Sequence, residues 1–332
     1  MEISTILMSL PLGVTFVVTG LFINLIQAAL YLTIRPISKN TFRKINGAIA
    51  EILWLQILCL MEWWAGIEVK LYTDLKTYHL MGKEHAVLMS NHISDMDTYI
   101  LWILAQRSGC LRSALTVVKK SSKYLPIVGW ASWFFGFVFL ERSWAKDEGY
   151  LKTSLEELKD FPMPFWLTIF VEGTRLTPDK LLASQEFAIS KGLLIQENVL
   201  IPRTKGFIAT IQCLRSFVST IYDVTIVVPK THPIPSLLRT LRRQPWVVKV
   251  HITRYSFNEL SESENEIAKW CKDKFIFKVV ISCSCVVTLG GWILCHKFGK
   301  GHVFLGAILA IVAVTIHIFI EYTKLPQQIR EI

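Results

Sequence analysis

Residues 6–34, "ILMSLPLGVTFVVTGLFINLIQAALYLTI", carry no formal charge over a stretch long enough to cross a bilayer. No other feature constrains the folding of this chain as much, because so long an apolar helix needs lipid or a large core around it. It has no basic n-region and no early small-residue cleavage site, so it reads as a retained membrane segment, not a cleaved leader. A second stretch, 46–69, is less uniform: Glu51, Glu62 and Glu68 interrupt it, and Trp63–Trp64 resembles an interfacial anchor. Arg35, Lys39, Arg43 and Lys44 form a basic loop between the two. If both stretches crossed, that loop and the rest of the protein would lie on opposite sides, against the positive-inside tendency. A re-entrant or interfacial hairpin, entering one leaflet, fits better.

At the other end, 275–295 and 303–319 form a second hydrophobic pair, either a transmembrane hairpin or two deeply embedded segments. With 52% of its 332 residues hydrophobic, the chain is placed among membrane proteins. Lys and Arg number 36 against 26 Asp and Glu, a formal charge of +10 that suits anionic headgroups or phosphorylated substrates. Nucleic acid is the poorer explanation and is not expected as a partner, since no basic helix or nucleic-acid motif accompanies the charge. Seven cysteines, an odd number with no C-x-x-C pair, form neither a disulfide nor a zinc framework. Reduced thiols and a cytosol-facing catalytic region follow.

Between the ends, short apolar or β-branched runs at 86–90, 113–118, 136–140, 166–171, 224–228 and 247–252 alternate with helical patterns. Buried strands of a mixed sheet covered by helices look like this. Residues 258–274 read as an amphipathic helix leading back to the membrane. The expected organisation is a membrane-embedded helical pair (1–69), a cytosol-facing α/β domain (70–272), and a C-terminal hydrophobic hairpin with its tail (273–332).

Within "VLMSNHISDMDTYILW", residues 87–102, Asn91, His92, Ser94, Asp95 and Asp97 crowd into seven positions. Five helical steps would set His92 and Asp97 ~140° apart, and a strand would put them on opposite faces. They meet only if His92 lies in a turn and Asp97 in the first turn of the next helix. Ser94 at N-cap and Asp97 at N3 would supply that as an S-x-x-D capping box. Two readings stay open from the spacing: Asp97 caps a helix and nothing more, or it orients His92. On the second, the imidazole takes a proton from an alcohol. The carboxylate fixes its tautomer, as in a serine-protease triad without the serine. Ser94 has the cap to make, so the alcohol would be the substrate's and the transfer direct.

Four more polar clusters follow short strands. "FVEGTRLTPDK" at 170–180 offers a Gly173 turn and the planar fork of Arg175. "IPRTKG" at 201–206 places Arg203 and Lys205. "VVKKSSKYLPIVG" carries Lys119, Lys120 and Lys123, and "FLER" ends on Arg142. Each alone reads as a solvated turn. Together they mark one edge of an open sheet, where ligands gather.

In this order the motifs resemble those of the lysophosphatidic acid acyltransferases, within the glycerolipid acyltransferase family, and most nearly the plant endoplasmic-reticulum type. The N-H-x-x-x-x-D box is Asn91 to Asp97; F-x-x-R is Phe139 to Arg142; E-G-T-R is Glu172 to Arg175; the proline block is Ile201-Pro202-Arg203; and Lys119, Pro126 and Gly129 match the Lys…P-x-x-G element. The plant pattern commonly has Arg after the His, where this chain has Ile93. The resemblance implies a membrane-associated α/β acyltransferase fold at the endoplasmic reticulum membrane, its catalytic domain facing the cytosol. It implies that His92, held by Asp97, deprotonates the sn-2 hydroxyl of lysophosphatidic acid for attack on acyl-CoA, giving phosphatidic acid. Glu172, Gly173, Thr174, Arg175, Arg142, Lys119 and Arg203 are then the substrate-binding set, with acyl-CoA a co-substrate and neither metal nor cofactor required. A hydrophobic tunnel near the N-terminal segment would measure the acyl chain. A different lysolipid acceptor, a non-catalytic lipid-binding protein and a channel are the rival readings.

Overall fold

The computed structural model describes residues 3–229 and 234–275, so the expected C-terminal hairpin lies, beyond residue 275, outside the described residues. The uncharged run forms helix α1 (Ile3–Thr33) and is followed by α2 (Lys39–Cys59). The two are antiparallel. Thr19 Oγ1 donates to Gln56 Oε1 (2.9 Å), Gln27 Nε2 to Asn46 Oδ1 (3.0 Å), and the Tyr31 ring meets Phe42 edge-on. Helix α2 starts inside the expected basic loop because the Ser38 side chain accepts the Thr41 N–H as an N-cap. Past Cys59 the helix widens into a π-turn (Leu60–Trp64) and the chain then becomes a strand. The apolar stretch 46–69 is therefore three elements, not one segment.

The α/β body fastens α2 along its length. Lys39 pairs with Glu157 at 2.8 Å, and Arg43 Nη2 donates to the Glu157 carbonyl at 2.6 Å. A Cβ at Gly47 would come within 2.7 Å of the Arg112 carbonyl. Trp54 is fully buried against Trp102, ring centroids 4.3 Å apart, and Trp64 Nε1 reaches the Leu241 carbonyl (3.4 Å). These contacts fix α2 on the body, while Leu10–Thr33 and Lys39–Trp64 are each long and apolar enough to cross a bilayer. The basic loop lies on the body's side of the hairpin. Helix α1 packs on α2 and also on the body, its Tyr31 ring 5.1 Å from that of Trp133, and leaves Phe22 and Leu25 exposed.

The body runs β1 (Glu68–Tyr72), α3 (Leu75–Leu80), β2 (Ala86–Ser90), α4 (Asp97–Arg107), β3 (Ala114–Lys119), α5 (Val128–Phe135), β4 (Val138–Leu140) and α6 (Trp144–Glu156). It continues through β5 (Trp166–Phe170), α7 (Pro178–Ser190), α8 (Thr204–Leu214), β6 (Thr220–Val227), α9 (Leu237–Leu241) and β7 (Val247–Ser256), then a helix over 264–275. The seven strands form one sheet in the order β1-β7-β6-β2-β5-β3-β4, parallel throughout except for the β6/β7 pair. All five residues of β2 are buried, as a central parallel strand covered on both faces requires. Ser90 is in register with Phe170 of β5 and with Val224 of β6. The chain thus leaves β2 and β5 side by side, at the carboxyl edge where open α/β sheets bind ligands. Strand β1 was not among the expected runs, since it continues the apolar stretch without a break in composition.

Below the opposite edge, Glu84 accepts from Tyr222 Oη (2.7 Å), Arg254 Nε (2.8 Å) and Thr220 Oγ1 (3.0 Å). Burial works to raise this carboxyl, but these bonds and the Arg254 charge outweigh it and hold it below its ordinary value. A depressed carboxylate contributes stability above the unfolded value of about 4.3 and loses it as pH falls through the folded one. Glu84→Gln is therefore expected to melt earlier than the wild type at pH 7. It should also lose less of its melting temperature between pH 5 and pH 3. Thermal melts across that range check it.

Candidate active site

His92 follows β2 in a loop, and Asp97 is the first residue of α4. Asp97 Oδ2 lies 2.9 Å from His92 Nδ1 and also accepts the amides of Ile93 (2.7 Å) and Ser94 (2.8 Å). One oxygen thus serves both the imidazole and the turn that precedes α4. The capping box differs from expectation: Met96, not Ser94, is the N-cap residue. The Ser94 hydroxyl accepts from the Met96 amide and donates to the Pro235 carbonyl at 2.7 Å. Only the backward half of the box, carboxylate to Ser94 N–H, forms. Asp97 is 1% exposed and His92 15%. Burial pushes the Asp97 carboxyl up, against His92 and the two amides, which favour the carboxylate.

Everything else about His92 is also fixed. Its amide donates to Glu172 Oε1 (2.8 Å), its carbonyl accepts from Leu176 N (2.8 Å), and its ring stacks on Phe170 at 4.3 Å. With Nδ1 donating to Asp97, the Nε2 lone pair is the free face of the imidazole. At residue 93 Asp97 uses the backbone amide, so Ile93 leaves these bonds intact. Asn91 was not given a role of its own, yet its buried side chain clasps Ile226 on β6 through both its amide and its carbonyl (2.9 and 2.8 Å). That clasp holds the ends of β2 and β6 together just before the histidine.

A cavity of about 990 Å³ opens over His92. Its lining includes the apolar Val117, Leu125, Val128, Phe137 and Phe139 and the cationic Lys119, Arg142 and Arg203. Gly173 lines it too. Its φ of +68° favours glycine, and a Cβ there would sit 3.0 Å from Arg203 Cδ. Of the expected substrate-binding set, Glu172, Thr174 and Arg175 are not on the cavity wall. Glu172 is buried, with Oε2 on the Leu200 amide (3.1 Å) as well as Oε1 on His92. Its carboxylate therefore positions the loop and does not face a ligand. Thr174 Oγ1 accepts from Lys180 (2.6 Å), and Arg175 pairs with Asp95 beside the cavity.

Arg142 has φ +68°, a strained setting for a residue with a side chain. The buried Asp147 maintains it by accepting the amides on either side, Glu141 N (2.8 Å) and Ser143 N (2.9 Å). Nothing in the sequence singles out Asp147 for this. Partial loss of water, and then the neighbouring Arg203 cation, hold the Arg142 guanidinium below its ordinary value. Both arginines line the cavity, neither makes an ion pair among the described residues, and together they offer a seat for an anion. Among the described residues, no group of His, Cys, Asp and Glu has the arrangement of a metal site.

A family model described as "Acyltransferase" matches residues 67–229, and one described as "Acyltransferase C-terminus" matches 239–278. The chain is similar to the 1-acyl-sn-glycerol-3-phosphate acyltransferase 2 of Brassica oleracea, 55% identical over 81% of this chain and 68% of that protein. It is similar also to the protein of that name from Arabidopsis thaliana, 47% identical over 95% of this chain and 90% of that one. The crystal structure of the 1-acyl-sn-glycerophosphate acyltransferase PlsC from Thermotoga maritima covers 80% of this chain and 96% of its own. At a TM-score of 0.43 and 16% identity, that likeness carries no argument here. With relatives of this identity over most of their length, the chain belongs to the acyltransferase family, among the 1-acyl-sn-glycerol-3-phosphate acyltransferases.

Proposed function

We propose that the protein transfers the acyl group of acyl-CoA to the sn-2 hydroxyl of 1-acyl-sn-glycerol 3-phosphate, giving phosphatidic acid and CoA. The observation that carries this reading is a His92–Asp97 pair at a cavity lined by apolar side chains and by cations. His92 Nε2 takes the hydroxyl proton as the oxygen attacks the thioester carbonyl. It then returns that proton to the departing thiolate. Asp97 stabilises the imidazolium between the two steps. Arg142 and Arg203 hold the acceptor's phosphate, with Lys119 beside them, and Asp147, Glu172 and Asn91 keep the loops in place. No metal or cofactor has a part in this sequence. The apolar side chains take an acyl chain.

The protein acts at a membrane surface, for which the endoplasmic reticulum with the α/β body on the cytosolic side is the expected setting. The exposed face of α1 meets the lipid, and on this reading the two apolar helices, each long enough to cross a bilayer, enter one leaflet. The organisation into an N-terminal pair, an α/β domain and a C-terminal hairpin belongs to the same reading.

The test uses membranes without endogenous activity, radiolabelled oleoyl-CoA, and lysophosphatidate, lysophosphatidylglycerol or glycerol 3-phosphate as acceptor. Labelled phosphatidic acid from lysophosphatidate alone is the expected product. Product from another acceptor alone would keep the chemistry and replace the substrate; no product from a folded protein would end the enzymatic reading.

Arg175 bears on the same acceptor. Its pairing with Asp95 joins two side chains that are 42% and 74% exposed. A surface pair of that kind is weak, so an arriving phosphate can take the guanidinium from it. Asp95→Asn is expected to lower KM for the phosphorylated acceptor about twofold to fivefold and leave kcat in place. Steady-state kinetics with the acceptor varied would show it.

A further inference from the structure

Direct transfer needs both substrates in the cavity at once, and on the reading proposed above both carry phosphate. The acceptor's phosphate is only a few bonds from its reacting hydroxyl. It therefore belongs near His92, with Arg142 and Arg203, which line the same cavity. A CoA thioester is built the other way: its diphosphate and 3′-phosphate sit at the far end of the pantetheine arm from the thioester. They need cations of their own, besides those that seat the acceptor.

Three further lysines are candidates. Lys191 caps the end of α7, Lys205 is in the first turn of α8, and Lys272 is in the helix over 264–275. All three line the cavity. Among the described residues none of them makes an ion pair, in contrast to Lys120 and Lys146, which share Glu141. Nor is Lys272 engaged like its neighbour Lys274, whose ammonium sits over the Tyr255 and Trp270 rings. The acidic residues on the cavity wall do not neutralise these three lysines. Asp95 is paired with Arg175, and Asp147 is taken up by two amides. Phe207 of α8 and Trp270 stack at 6.1 Å, which ties the element of Lys205 to that of Lys272. Three exposed lysines around one opening bind a flexible polyanion as point charges, without the fixed fork of an arginine.

We propose that Lys191, Lys205 and Lys272 form a second anion subsite, which binds the phosphates at the nucleotide end of a CoA-type acyl thioester. This rests on the acyl-transfer reading and goes beyond it, by dividing the cavity's cations between donor and acceptor.

The experiment uses the full chain in lipid nanodiscs, with oleoyl-CoA, oleoyl-3′-dephospho-CoA and oleoyl-pantetheine as donors and lysophosphatidate as acceptor. The wild type is expected to show a donor KM that rises as the phosphates are removed. The triple variant Lys191→Ala/Lys205→Ala/Lys272→Ala is expected to raise KM for oleoyl-CoA about tenfold or more and to respond little to the donor's phosphates. Its kcat and its KM for lysophosphatidate should stay within about twofold of wild type. The Lys→Arg triple variant, which keeps the charges, should restore the donor KM. It also carries the test if the alanine variant does not fold. Three results overturn the proposal alone: a wild type that turns over all three donors with equal KM, a charge-removed variant with unchanged donor KM, or one whose acceptor KM rises as much as the donor's. A wild type that turns over none of the donors would overturn the acyl-transfer reading, and this subsite with it.

Discussion

Replacing His92 with alanine is expected to lower kcat for acyl transfer by about 10²–10⁴, the usual worth of a positioned general base. KM for either substrate should change little, because the ring contributes a proton acceptor and not a grip on phosphate or acyl chain. The structure separates this loss from unfolding. His92 is held through its backbone by Glu172 and Leu176, contacts that alanine keeps. Asp97 loses one of three donors and retains the Ile93 and Ser94 amides. A variant that melts within a few degrees of wild type and makes no phosphatidic acid would bear out the assignment. Full activity in that variant would remove His92 from the chemistry and leave Asp97 as the acceptor that holds the turn before α4.

Asp97→Asn separates two things the carboxylate does. In a serine-protease triad the asparagine variant loses about 10⁴ in kcat because the imidazole is left in the wrong tautomer. Here the oxygen facing His92 is also required by two backbone N–H groups, at 2.7 and 2.8 Å. The asparagine carbonyl is therefore expected to occupy that place and to keep Nδ1 as the donor. What disappears is the negative charge that stabilises the imidazolium. A nearby opposite charge is worth about one to three pKa units, so kcat is expected to fall by about 10–10³. That is less than Asp97→Ala, which leaves all three donors without an acceptor. The amide NH₂ would take the position of Oδ1, which is buried and has no hydrogen-bond partner among the described residues. Stability should drop by about 1–3 kcal/mol. Equal activity losses in the two variants would mean that the amides do not fix the tautomer.

Much of this site could be read from the chain because its parts are close in sequence or follow apolar runs. The ends of β2 and β5 were marked by "AVLMS" and "WLTIFV", and parallel register does the rest by setting Ser90 beside Phe170. His92 and Asp97 needed only one turn between them. What could not be read depends on contacts across the sheet. Glu172 looked like a ligand-facing group in a basic turn, but its carboxylate reaches back to residue 92, and no local pattern signals that direction. Asn91 and Ile226 are 135 positions apart, and only the β2/β6 pairing joins them. Asp147 carries out its task on Glu141 and Ser143 through backbone amides, which leave no trace in residue type. The stretch 46–69 misled for the opposite reason: its composition is uniform, while its surroundings change from helix contacts to sheet within a few residues.

If the hairpin held to the body along α2 enters one leaflet, as proposed, the protein is committed to one monolayer. On the proposed reading, every acceptor is drawn from that monolayer and every product returns to it, one fatty chain heavier. Turnover therefore widens one sheet of the bilayer while the other keeps its area. Sustained synthesis builds a bending stress that the enzyme has no means to relieve. Growth of a flat membrane around it then depends on a separate carrier that moves lipid from the crowded side to the other.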